Sequence, residues 1–135
     1  MLLTYQLRVD IQTRLMYKGK LVYMENTLEA FQRYVNFDCD GGHIETTCLP
    51  GGIILIVHSD GKLFNFPVNR ALVSEEGHII DILVGNIVAV RAEGEEFSDI
   101  LPEDVDFIEK HLKPAYVVNG TVGFLNIIPL PEYPS

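Results

Sequence analysis

The stretch "FPVNRALVSEEGHIIDILVGN", Phe66 to Asn86, sets an Asn69-Arg70 pair, an isolated Asp81 and a lone Gly85 among apolar residues that otherwise suit burial. Its reading decides whether the centre of the chain is sheet or loop, and whether its polar residues form a site or fasten a core. Pro67 removes a ladder donor and Glu76-Gly77 marks a turn. The residues between them are therefore expected to be irregular or briefly helical, with a strand resuming over Asn86 to Arg91. A guanidinium among apolar neighbours needs an anionic or carbonyl partner, because an unpaired buried charge is too costly to keep. Asp81 is the natural candidate. Either Arg70 pairs with Asp81 while Asn69 ties down the loop after Pro67, or Asn69, Arg70 and Asp81 present a fork to a carboxylate or phosphate ligand. A domain this small usually satisfies its charges internally, which favours the first reading.

Working outward, Tyr5, Leu7, Val9 and Ile11 alternate with polar residues, the period of a strand with one buried face. "RLMYKGKLVYM", Arg14 to Met24, suggests two short strands around a Lys18-Gly19 turn. "ENTLEAFQRYV" reads as a helix capped by Asn26 with Glu29, burying Leu28, Phe31 and Val35. After Gly41-Gly42 come a strand over His43 to Cys48 and a hairpin pairing Ile53 to Val57 with Lys62 to Phe66 around Asp60-Gly61. "PEDVDFIEKHLKP" predicts a second helix with Val105, Ile108 and Leu112 on its buried face, ending at Pro114. Asn119-Gly120 marks a closing hairpin, and "PLPEYPS" an extended or frayed tail. The class is α+β, a single domain over 1–135 with a largely antiparallel β-sheet and two helices.

Composition narrows the function. A chain of 135 residues with 47% hydrophobic and 21% charged residues should fold as one globular unit. The longest clean apolar run, Ile53 to Val57, is far short of the roughly 20 residues of a membrane-spanning helix, and no secretory leader is visible. A cytoplasmic protein without membrane contact is expected. A net charge of −9 disfavours direct binding to nucleic acid, which relies on Lys and Arg displacing counterions. Exposed edge strands at the two chain ends would allow a homodimer.

At "ENTLEAFQRYV", "SDGKLFNFPVNRAL", "DILVGNIVAV" and "DVDFIEKHL" the chain resembles the family known as domain of unknown function 3846. The resemblance runs in order over residues 14 to 113. It implies a small accessory protein of gut bacteria, their phages or mobile elements, and it implies no chemistry. The N-terminal strand (1–12) and the C-terminal hairpin with its Pro-rich tail (114–135) lie outside that span, and the segment from Phe37 to Pro50 is extended and carries both cysteines.

No catalytic set assembles. Cys39, His43 and Cys48, with His58 and His78, offer nitrogen and sulfur atoms, but a lone Cys-x3-His lacks the two close pairs of a zinc site. The cysteines are read as reduced and buried, and no metal or cofactor is assigned. "HSDG" at His58 to Gly61 is a turn rather than a triad. Gly41-Gly42 and Gly51-Gly52 lack a following helix and read as loop hinges. Glu93 to Glu109 holds eight acids and no base in 17 positions, which raises the idea of an acidic mimic of DNA; a solvated loop entering a helix N-terminus explains it more simply. The expected function is a non-enzymatic binding or accessory module for a protein or a small anionic ligand. The alternatives are a small hydrolase or nucleotide-modifying enzyme using His43 or His58 with a carboxylate, and the acidic mimic.

Overall fold

The computed structural model describes residues 1–124 and 129–134. These form ten strands and two short helices: β1 (Leu2–Leu7), β2 (Lys20–Met24), α1 (Leu28–Val35), β3 (Ile44–Leu49), β4 (Ile53–His58), β5 (Val68–Val73), β6 (Ile79–Val84), β7 (Ile87–Glu93), β8 (Glu96–Ser98), α2 (Asp104–His111), β9 (Leu112–Val118) and β10 (Thr121–Phe124). All strand pairs are antiparallel, as the α+β reading requires. One sheet runs β2-β1-β7-β4-β3 with β8 hydrogen-bonded to β7, and the other runs β10-β9-β5-β6.

The two sheets share a core. Leu7, Leu55 and Ala89 of the first meet Leu72, Leu83 and Leu112 of the second, with Ile108 of α2 among them. On the opposite face of the first sheet, Phe31, Tyr34 and Val35 of α1 cover Leu2, Ile56, Val88 and Val90. The central strands β4 and β7 are therefore apolar on both faces, which is why Ile53 to Val57 and Ile87 to Val90 read as continuous apolar runs.

The stretch from Phe66 to Asn86 is the main departure from expectation. It is a hairpin, β5 to β6, turning through Ser74 to His78, where Gly77 adopts φ +85° and the Ser74 amide donates to the His78 carbonyl at 2.8 Å. The register shifts between Val68 and Arg70. Asn69 is thus the extra residue of a β-bulge, and the bulge conceals the strand period from sequence reading.

Five other expectations fail locally. The first strand ends at Leu7; beyond it, Val9 makes only an isolated bridge to Met16, and the chain reverses where the Asp10 carboxylate accepts the amides of Gln12 and Thr13, both at 2.8 Å. No hairpin turns at Lys18-Gly19. The α1 cap is Thr27, whose hydroxyl accepts the Ala30 amide at 3.1 Å, rather than Asn26, and Leu28 is exposed while Phe31 and Val35 are buried. Lys62 to Phe66 is a series of turns, with the amides of Phe64 and Phe66 donating to the carbonyls of Asp60 and Gly61, so β4 pairs with β3 instead. Pro114 lies inside β9, because α2 already ends at His111.

His58 to Gly61 is a turn as read, and so is Asn119-Gly120, both of whose φ angles are positive, as a two-residue hairpin loop demands. Leu125 of that hairpin's expected span and Ser135 of the tail lie outside the described residues. The terminal segments are structural: β1 sits between β2 and β7, and β9 between β10 and β5.

Candidate functional site

Asn69, Arg70 and Asp81 do not converge. Asn69 is fully buried, and its amide nitrogen donates to the carbonyls of Leu7 and Gly85, both at 2.8 Å, joining the end of β1 to the β6–β7 turn. Its side-chain oxygen accepts from Arg70 Nη1 at 2.7 Å, and Arg70 Nη2 donates to the Tyr17 carbonyl at 2.8 Å. Arg70 is 1% exposed, and its Nε has no partner among the described residues. Burial lowers its proton affinity, opposed by the charge of Glu109, whose carboxylate accepts from the Tyr5 hydroxyl. Asp81 lies elsewhere, bonded at 2.6 Å to Lys62, so the expected Arg70 to Asp81 pair does not form. Asn86, flanking this segment, acts like Asn69: it accepts the Val9 amide at 3.0 Å and donates to the Tyr34 carbonyl at 3.2 Å.

Among the described residues, two recesses bring basic, acidic and neutral polar side chains together around Arg8 and around His58. The first is a trough on the α1 face of β1 and β2. Its floor follows from register: Thr4 pairs with Val22 and Gln6 with Lys20, so their side chains share one face. Gln6 is buried and donates to the Thr4 hydroxyl at 3.3 Å. Just past β1, the Arg8 guanidinium lies 4.7 Å from the ring centre of Tyr34 and 4.6 Å from that of Tyr133, a cation in contact with two aromatic rings. Tyr34 is fixed from below by donation of its hydroxyl to the Ile87 carbonyl at 2.8 Å, and burial holds that hydroxyl well above its ordinary pKa.

The wall beside Arg8 is strained. Phe37 and Asp38 both take left-handed backbone, φ +56° and +64°. That conformation brings Asp38 to 3.8 Å from Arg8 and presents the Asp38 carbonyl to Arg33 Nη2 at 2.6 Å, while Arg33 Nη1 pairs with Asp40. One cavity along the trough, about 430 Å³, is lined by Gln6, Arg8, Val22, Thr27, Arg33 and Tyr34 together with the acids Glu25, Glu29 and Asp38. A second, about 190 Å³, shares Gln6, Arg8 and Val22 and adds Lys20, Tyr133 and Pro134, with no acid in its lining.

The other recess, about 180 Å³, opens between the sheets and is lined by His58, Ser59, Lys62 and Asp81 with Glu45 and Thr47. His58 Nδ1 accepts the Asp60 amide at 3.0 Å, which leaves the ring proton on Nε2. Burial lowers the His58 pKa, and Phe64 and Phe66 pack edge-on against the ring. The imidazole is therefore a fixed, neutral donor. It cannot accept a proton at Nδ1 without losing that backbone bond, so a general base in this recess would have to be a carboxylate, Asp81 or Glu45.

Among the described residues no cluster of three or more His, Cys, Asp and Glu is placed to hold a metal ion. Cys39 and Cys48 are free and, contrary to expectation, exposed. Three of the eight acids between Glu93 and Glu109 are used internally: Asp104 by Arg91, Asp99 by the Leu3 amide, and Glu109 by Tyr5. No helix among the described residues is long and apolar enough to cross a membrane. Sequence reasoning missed Arg8, Gln6 and Tyr133. Gln6 and Arg8 occupied the polar half of an alternating strand, and only the helix packed above them turns that face into a recess. The one available signal was a lone tyrosine in a proline-rich tail.

No curated protein and no solved structure matches the chain. A family model does, over residues 14–113, and with that span covering most of the chain, the protein belongs to the DUF3846 family, a domain of unknown function.

Proposed function

We propose that this protein is a non-enzymatic binding module whose site is the trough at Arg8, taking a small ligand that joins a planar ring to an anionic group. The carrying observation is the contact of the Arg8 guanidinium with two tyrosine rings. In a chain of net charge −9, Arg8 and Lys20 line one cavity together. A ring stacked on a guanidinium gains roughly 0.5–2 kcal/mol, and a charge-assisted hydrogen bond to the same group about 1.5–3 more. Buried Gln6 on the floor adds a neutral donor and acceptor for orientation. The neutral, backbone-tied His58 weighs against the enzymatic alternative. An accessory protein of a phage or mobile element, working in the cytoplasm and sequestering such a ligand, fits this reading, and its family supplies that setting only by resemblance.

Ligand-observed NMR titration with phenyl phosphate, phenol and inorganic phosphate tests it. Phenyl phosphate should bind at least about tenfold more tightly than either part alone, and Arg8→Leu should abolish that binding in a protein that still melts cooperatively. Equal affinity for all three probes, or full binding by Arg8→Leu, would refute the assignment.

A further inference from the structure

We infer that the C-terminal segment Pro131–Pro134 is a built-in occupant of the trough, which a ligand must displace because Tyr133 already holds the ring position on Arg8. The inference rests on the binding reading above and adds who competes for the site. Two tyrosine rings meet Arg8. One belongs to Tyr34, a core residue. The other belongs to Tyr133, which is 37% exposed.

Every residue of this segment is exposed. Among the described residues its contacts include one backbone bond, Lys18 N–H to the Pro131 carbonyl at 2.8 Å, the edge-on contact of Tyr133 with Tyr17 at 5.1 Å, and the contact with Arg8. Segments with few buried contacts and exposed backbone bonds open at low free-energy cost. Its prolines, Pro131 and Pro134, fix φ and reduce the entropy lost each time the tail docks. The tail is thus built to return to one place without being locked there.

The cavities give the displacement a consequence. Arg8 lines the two trough cavities of about 430 and 190 Å³ and a third, distinct from the His58 recess, of about 180 Å³ beside Asp10, Phe37 and Asn86; Tyr133 lines the last two. The tyrosine therefore partitions space that would otherwise converge on one cation. A neutral tyrosine ring offers Arg8 only its face, whereas a ring carrying an anionic group offers face and charge together, so such a ligand can outcompete the tail.

The test compares the full-length protein with Tyr133→Ala, a change at a half-exposed position, in phenyl phosphate titrations followed by NMR. Removing an occupant raises apparent affinity by the reciprocal of the open fraction. Tyr133→Ala should therefore bind about three- to tenfold more tightly, and in the unmodified protein saturating phenyl phosphate should shift the Tyr133 ring resonances and accelerate exchange of the Lys18 amide. Weaker or equal binding by Tyr133→Ala, or a Lys18 amide indifferent to bound ligand, would overturn the displacement while leaving the trough assignment standing. Failure of both proteins to bind phenyl phosphate would overturn both.

Discussion

Arg70 Nη1 donates to the side-chain oxygen of its own neighbour, Asn69, at 2.7 Å, inside the core and apart from Asp81. The bulge makes this possible: the extra residue turns Asn69 toward Leu7 and Gly85, and the same amide group that ties the two sheets together supplies an acceptor for the buried cation.

Substitutions should therefore rank by what they leave unpaired. Asn69→Ala strips partners from two buried carbonyls and from Arg70, and should cost about 3–5 kcal/mol in urea unfolding followed by circular dichroism. Arg70→Met removes a desolvated charge whose Nε has no partner among the described residues, so it should cost less, about 0–2 kcal/mol. Asp81→Ala breaks an exposed pair with Lys62 and a local bond from the Ile82 amide, and should cost no more than about 1 kcal/mol. A large loss at Asp81 would restore the rejected pairing.

Acid stability should depend on Asp104. Both its oxygens accept from Arg91 at 2.7 Å, one also accepts the Leu101 amide at 2.8 Å, and the arginine bonds hold the carboxyl below its usual pKa. A carboxylate whose folded pKa is depressed stabilises above its unfolded value and loses that contribution as pH falls through and below it, here below about 4. Asp104→Ala should cost about 2–4 kcal/mol at neutral pH, and the gap from the unmodified protein should narrow toward pH 2. A gap independent of pH would show that the ion pair is not its source.

His58 should contribute an acid sensitivity of the same sign, centred at higher pH. Burial lowers its pKa, so the unfolded chain binds the proton more readily and stability falls as pH drops below about 6.5. In His58→Asn the amide oxygen can still accept the Asp60 amide, yet nothing titrates. The variant should lose less stability than the unmodified protein between pH 7 and 5, measured as the shift in melting temperature. Parallel melting curves for the two would contradict the neutral-donor assignment.

The start of α1 offers a small control. Thr27→Ala should cost about 1 kcal/mol by removing the oxygen that accepts the Ala30 amide, and Asn26→Ala should cost a few tenths at most. The reverse order would place the cap one residue earlier.

The elements that sequence reading finds are those whose signal is local. The Asn119-Gly120 turn needs only its own two residues, and α2 displays its own charge pattern and apolar face. β5 and β6 escape because a bulge breaks their alternation at Asn69, and because Pro67 precedes the strand rather than interrupting it. Asn26 and Thr27 compete for one cap with chemistry too similar to separate. Lys62 to Phe66 alternates like a strand, but Asn65 takes left-handed backbone and lets it coil, leaving Phe64 and Phe66 to pack on His58. Arg8 could not be singled out at all, since its surroundings come from three segments: Tyr34 in α1, Asp38 in the strained loop, and Tyr133 more than 120 positions away along the chain.

The most direct test of the account is an amide chemical-shift map of the full-length protein titrated with phenyl phosphate. The account predicts the largest shifts at Gln6, Arg8, Lys20, Val22 and Tyr34, with Asn69, Arg70 and Asp81 unmoved. Shifts centred on Asn69 and Arg70, or on His58, Lys62 and Asp81, or no shift anywhere, would contradict it.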